Sequence, residues 1–219
     1  MALGRRRRLD RSVRAKGVAP EPEAREREQV STSGPYDVTD APDDTVTRID
    51  LGALRIPTPR GGDLRLDVNK AGAIASATLR LNGSAMQVGV FAAPRNEGIW
   101  AEVRAEIKQT LAKQGGSGEE GKGEFGTELH AQLAMKQGPQ PARFVGVDGP
   151  RWFLRALVTG PAAVDEAAAE PLLEVFRNLV VVRGTDPMPV RDPIPLRLPS
   201  DAQPAAAAGD GSDSGSDAD

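Results

Sequence analysis

The chain has 219 residues, 27% of them charged and 4% aromatic, with 24 Gly and 18 Pro; that balance suits a modest core with long polar flanks. It has no Cys and one His, His130, which excludes disulfides, thiolate nucleophiles and Cys-ligated zinc and leaves a single imidazole for proton transfer or metal ligation. The net charge of -3 is unevenly placed: residues 1–33 hold nine basic against five acidic groups, and residues 200–219 hold five Asp and no base.

Residues 1–33 combine mixed charge with Pro and show no hydrophobic period, which predicts a disordered basic arm headed by Arg5, Arg6, Arg7 and Arg8. Behind MALGRRRRLDRSVRAKG comes VAPEPEAREREQ rather than an apolar stretch, so no export signal is expected, twin-arginine signals included. No run approaches the ~20 apolar residues of a membrane span, and the expected location is cytoplasmic. GPYDVTDAPDD then reads as an extended lead-in, and RIDLGALRIP as a first strand stopped by Pro57 and Pro59. In GGDLRLDVN, Leu64, Leu66 and Val68 alternate with Arg65 and Asp67. GAIASATLRLNG alternates as well, but Ile74 is out of step with Leu79 and Leu81, which predicts a bulge or a change of face. Asn82-Gly83 is a two-residue hairpin signal, and SAMQVGVFAAP is the partner strand, with Met86, Val88 and Val90 on one side.

The period then changes. NEGIWAEVRAEIKQTLAKQGG sets Ile99, Trp100, Val103, Ile107 and Leu111 at helical spacing, with Asn96 as the expected cap, Glu97 at the positive end, and Lys113 and Gly115-Gly116 at the close. GGSGEEGKG reads as a loop. EFGTELHAQLAMK reads as a strand with Leu129, Ala131 and Leu133 on one face, His130 on the other, and Glu128 beside His130 to orient it. After QGPQP, the segment RFVGVDGPRWFLRALVTG predicts a hairpin turning at Asp148-Gly149, with Pro150 beyond the tight centre. Its second strand is apolar on both faces, the mark of a central strand, with Trp152 in phase with Leu154, Ala156 and Val158 and Arg155 at a rim or polar seam. In DEAAAEPLLEVFRNLVVVRG, a stripe of Leu172, Leu173, Phe176, Leu179 and Val180 predicts a helix whose first turn holds Pro171, with a short strand leaving it at the valines. DPMPVRDPIPLRLP is extended and expected along the surface, and residues 200–219 are expected to be a disordered acidic tail.

The predicted fold is α+β: a mostly antiparallel sheet with two amphipathic helices packed on it, between a disordered basic N-terminal arm and an acidic C-terminal tail. One domain is expected over residues 34–199, its core at about 48–184 and its Pro-rich segment at 185–199. The stretches FAAPRNEGIWAEVRAEI, RFVGVDGPRWFLRALVTG and LLEVFRNLVVVRGTDPMPVRDPIPLRLP resemble an actinobacterial family of cytosolic proteins known only as domain of unknown function 3710, over roughly residues 34–199. The resemblance implies no assigned reaction, cofactor or catalytic residue. The order of elements is also similar, in topology alone, to PsbP-like α/β/α sandwiches.

Two loops are candidate binding residues. Arg95 and Asn96 stand where a strand feeds a helix, and a helix start offers free N–H groups to a phosphate or carboxylate. Asp148 and Arg151 stand at the hairpin turn, where Arg151 and Trp152 can form a cation–aromatic platform. For both loops the plainer reading, an ordinary capped helix and a turn into a core strand, is preferred. His130 has no partner at metal spacing, the G-x-S-x-G elbow and the phosphate-loop pattern are both missing, and the acids of DAPDD and GEEG are expected to be solvated. No cofactor or metal is expected. The favoured function is a non-catalytic binding or adaptor domain for a protein partner, with Arg5, Arg6, Arg7 and Arg8 as a basic arm for an anionic one; that reading expects the two loops to lie apart. A small-molecule enzyme would instead gather Arg95, Arg151 and a perturbed carboxylate or His130 in one pocket. A third reading has the arm contact nucleic acid, or an anionic membrane surface, through salt-sensitive phosphate interactions.

Overall fold

The computed structural model describes residues 34–198. The arm at Arg5–Arg8 and the acidic tail at 200–219 lie outside the described residues. In chain order the elements are β1 (Tyr36–Asp37), β2 (Arg48–Asp50), β3 (Leu54–Pro57), β4 (Asp63–Val68), β5 (Ile74–Leu81), β6 (Ser84–Ala92), α1 (Trp100–Lys113), β7 (Ser117–Gly123), β8 (Gly126–Met135), β9 (Gly138–Gly149), β10 (Trp152–Thr159), α2 (Glu166–Arg177) and β11 (Val180–Val181).

Seven strands form one antiparallel sheet in the order β4-β5-β6-β10-β9-β8-β7. β10 is in the middle, as its two apolar faces require. Trp152, Leu154, Ala156 and Val158 join Met86, Val88, Val90, Val145 and Val147 in the core beneath α2. Phe153 joins Phe144, Leu129, Ile99, Trp100 and Leu111 in a second core beneath α1. The helices therefore lie on opposite faces, because alternate residues of the same strands feed the two layers. A second sheet, β1-β11-β3-β2, closes over the α2 core with Leu54, Ile56 and Val181. Its β1–β11 pair is parallel and joins segments far apart in the chain, so no turn signal announces it.

Local chemistry explains most of the connections. Asn82 and Gly83 have φ of 49° and 77°, the left-handed pair of a tight hairpin. The expected irregularity at Ile74 is a bulge: Asp67 faces Ser76 while Val68 faces Ile74, which skips Ala75 and turns Val68 out to solvent. Helix α1 ends in a Schellman motif, with Gly115 at φ 81° and the Gly116 N–H donating to the Leu111 carbonyl at 2.8 Å.

Several sequence expectations are corrected. RIDLGALRIP is two strands, not one: the Asp50 side chain accepts from the Gly52 N–H at 2.8 Å, and Gly52 at φ 78° turns the chain back on itself. GGSGEEGKG is strand β7 rather than a loop. Its glycines make room for side chains of β8, and a Cβ at Gly123 would collide with the Glu128 carboxylate. QGPQP does not separate strands, since β9 starts at Gly138; β10 ends opposite Ala142, so Pro139 and Pro141 are paired on one side only. Pro171 lies inside α2, which starts earlier because the Asp165 side chain accepts from the Ala167 N–H at 2.9 Å and caps it. The Pro-rich segment is extended, but it is a wedge and not a surface strap. Beyond the Ala77–Val88 pair, β5 and β6 share no register, and residues 192–196 fill the gap through Ala92 N–H to Asp192, Ile194 N–H to Val90 and Leu196 N–H to Ile74, with Ile194 and Leu196 buried.

Candidate functional site

The two candidate loops meet. Asp148 is a strand residue opposite Phe153, not part of the turn, and it points toward α1. Its Oδ1 accepts from the Ile99 N–H at 2.9 Å and its Oδ2 from the Trp100 N–H at 3.2 Å. The helix start, which attracts anions through its unpaired N–H groups, is thus occupied by the protein's own buried carboxylate. Asn96, the expected cap, stands exposed ahead of Ile99 and makes no cap bond. The hairpin turns at Pro150-Arg151, with Arg151 at φ 65°. Its carbonyl accepts from the Ala93 N–H at 3.1 Å, tying the turn to the loop that carries Arg95 and Asn96, so the expectation that the loops lie apart is overturned. The same carbonyl accepts from the Arg183 Nε at 3.0 Å. Burial, and after it the neighbouring Arg151 charge, hold the Arg183 guanidinium below its ordinary pKa, with Asp186 opposing. Trp152 is buried at 2% exposure, and its indole N–H donates to Asp37 Oδ2 at 2.7 Å, so it is core and no aromatic platform.

The other candidates are dispersed. His130 is exposed on β8, opposite Glu119 and Arg143 in the ladder, and lines a cleft of about 470 Å³ with Ser117, Glu119 and Gln132. Glu128 does not orient it. The Glu128 carboxylate is buried against Arg143, which also donates to both Glu166 oxygens at 3.0 Å. Burial alone would lower the pKa of Arg143; the two carboxylates outweigh it and raise the value. In the lead-in, Arg48 donates to both oxygens of Asp44 at 2.8 Å and lowers its pKa. Glu119 is exposed, as expected, but Glu120, though exposed too, lies 3.8 Å from Arg104 and 3.9 Å from Lys108 rather than in solvent alone. Among the described residues no group of three His, Cys, Asp or Glu is placed to hold a metal ion, and no helix is long and apolar enough to cross a membrane.

Arg104 escaped the sequence reading. It falls on the buried face of α1, with its guanidinium over the Trp100 ring at 5.2 Å from the centroid. A stripe of apolar residues conceals such a position, because a long cationic stem packs like a hydrophobe. Arg155 was visible from its place in a strand apolar on both sides. It lies on the α1 face of β10, with its guanidinium 5.0 Å from the centroid of the Phe91 ring.

No curated protein matches the chain. Among solved structures, the solution structure of cyanobacterial PsbP (CyanoP) from Synechocystis sp. PCC 6803 is similar at 13% identity and a TM-score of 0.42, covering 62% of this chain and 92% of that one. Residues 34–205 match the family model described as a protein of unknown function, DUF3710, and the chain belongs to that family.

Proposed function

We propose that this chain is a non-catalytic binding or adaptor domain that, contrary to the expectation that its two loops lie apart, takes an anionic partner on the basic rim where they meet at the start of α1, with Arg5–Arg8 as an accessory arm. The observation that carries the reading is the placement of Arg183 beside Arg151: the Arg183 guanidinium donates through Nε to the Arg151 carbonyl at 3.0 Å, and burial first, with the Arg151 charge after it, holds the Arg183 pKa below its ordinary value. Like charges held together are relieved by an anion from outside. Arg95 and Asn96 stand exposed on the loop bonded to the same carbonyl and extend the rim, and Asp148 supports it from below as the helix cap. The carboxylate that acid–base chemistry would draw on here, Asp148, is engaged by the Ile99 and Trp100 N–H groups of α1.

The test is affinity capture with crosslinking from the native cytosol, using the full chain and two variants. Arg151→Asn with Arg183→Gln removes the rim charge, and Asn is at ease at the left-handed position 151. The second variant replaces Arg5–Arg8 by Gln. The expected result is one anionic partner that is lost with the rim variant and only weakened with the arm variant. A partner kept by the rim variant but lost with the arm variant, with a matching loss of salt-dependent DNA, RNA or anionic-vesicle binding, overturns the reading in favour of the arm.

A further inference from the structure

Arg155 is central in the widest sheet and has no charged partner among the described residues. Its ladder neighbours are both glycines, Gly89 on β6 and Gly146 on β9, and what leans over those glycines are the uncharged rings of Phe91 and Trp100. Burial alone lowers its pKa. Asp67, on the same face three strands away, accepts instead from Ser76, Thr78 and Gln87 at 2.7 to 3.0 Å. A half-buried guanidinium without an anion is an unfavourable arrangement that a fold retains poorly unless something uses it.

Two cavities meet at Phe91 and Arg155. The first, about 140 Å³, lies between the sheet and α1, with Ile99, Val103 and Phe153 as its apolar walls. The second, about 240 Å³, continues past Gln87, Phe144 and Leu157. The first is close to the size of a cavity that holds benzene. The one acid on its rim, Glu106, is covered by Arg191, which donates to Glu106 at 2.6 Å and to Glu102 at 2.5 Å. The site therefore offers one unneutralised cation on an aromatic floor, with the neighbouring negative charge already paired.

We propose that this cavity binds a small monocarboxylic acid with a ring-sized apolar body, its carboxylate on Arg155 and its body between Phe91, Phe153, Ile99 and Val103. The linings of the two cavities include none of the rim residues Arg95, Asn96, Arg151 and Arg183, and the proposal does not depend on the rim. The full chain is titrated calorimetrically with benzoate and with benzamide, its uncharged counterpart. Benzoate is expected to bind saturably at one site, and benzamide more weakly by roughly tenfold or more. Arg155→Met, which keeps the stem and removes the charge, is expected to lose benzoate affinity by a similar factor without a fall in melting temperature. Val103→Phe fills the cavity from α1 with Arg155 untouched and is expected to abolish binding; it carries the test alone if Arg155→Met does not fold. No saturable benzoate binding, equal binding of benzamide, or benzoate binding retained in Val103→Phe overturns the assignment. Binding lost instead in the Arg151→Asn, Arg183→Gln variant moves the carboxylate to the rim, and the proposal fails while the rim reading stands.

Discussion

Asp148 reads in the sequence as half of a turn beside Gly149, yet its side chain closes the start of a helix 49 residues earlier. The sequence shows that a helix begins near Asn96, because the period changes there. It does not show which residue caps it, because the cap comes from β9 and depends on the register of the whole sheet. The opposite case is Arg151, half-buried at a positive φ that a turn normally gives to Gly or Asn. Asp148→Ala leaves the Ile99 and Trp100 N–H groups without this acceptor. The expected loss is about 1–3 kcal/mol in urea denaturation, with Asp148→Asn losing less because its amide oxygen still accepts. An unchanged midpoint in Asp148→Ala would free this carboxylate for a role other than capping.

Strands whose side chains carry the pattern were legible, and strands held by their neighbours were not. β10 announces itself as central through Trp152, Phe153, Leu154 and Leu157, and the structure places it so. β7 has almost no pattern of its own; its information sits in Leu129, His130 and Glu128 of β8, which lie over its glycines. The same relation ties α1 to the sheet at Gly146, where an added methyl would meet the Trp100 indole, itself stacked on Phe153 at 5.6 Å. Gly146→Ala is therefore an overpacking change at an ordinary strand position. It is expected to destabilise by about 1–3 kcal/mol and to shift Trp100 fluorescence. Retention of native fluorescence and stability would mean that the α1 layer yields freely.

Across the whole molecule, local signals accounted for the β5–β6 and β9–β10 hairpins and both helices, while the β2–β3 and β7–β8 pairs and the remote pairings stayed hidden. The β1–β11 pair and the wedge at 192–196 have sequence partners more than a hundred residues away or on both sides of a gap, and Pro-rich composition masks the burial of Ile194 and Leu196. Ile194→Ala is expected to cost about 2–5 kcal/mol, as for a well-packed aliphatic truncation. In hydrogen exchange, the amides of Ala92, Ile194 and Leu196 should lose protection together, because each donates across the wedge. Independent exchange of the three would show that the segment is not one cooperative unit. Because the filler of the gap is made long after the strands on either side of it, the nascent polypeptide passes through a stage in which β6 beyond Gly89 and the start of β5 present bare hydrogen-bonding edges. Bare edges of that kind are expected to favour self-association until the residues up to Leu196 are available to pair with them.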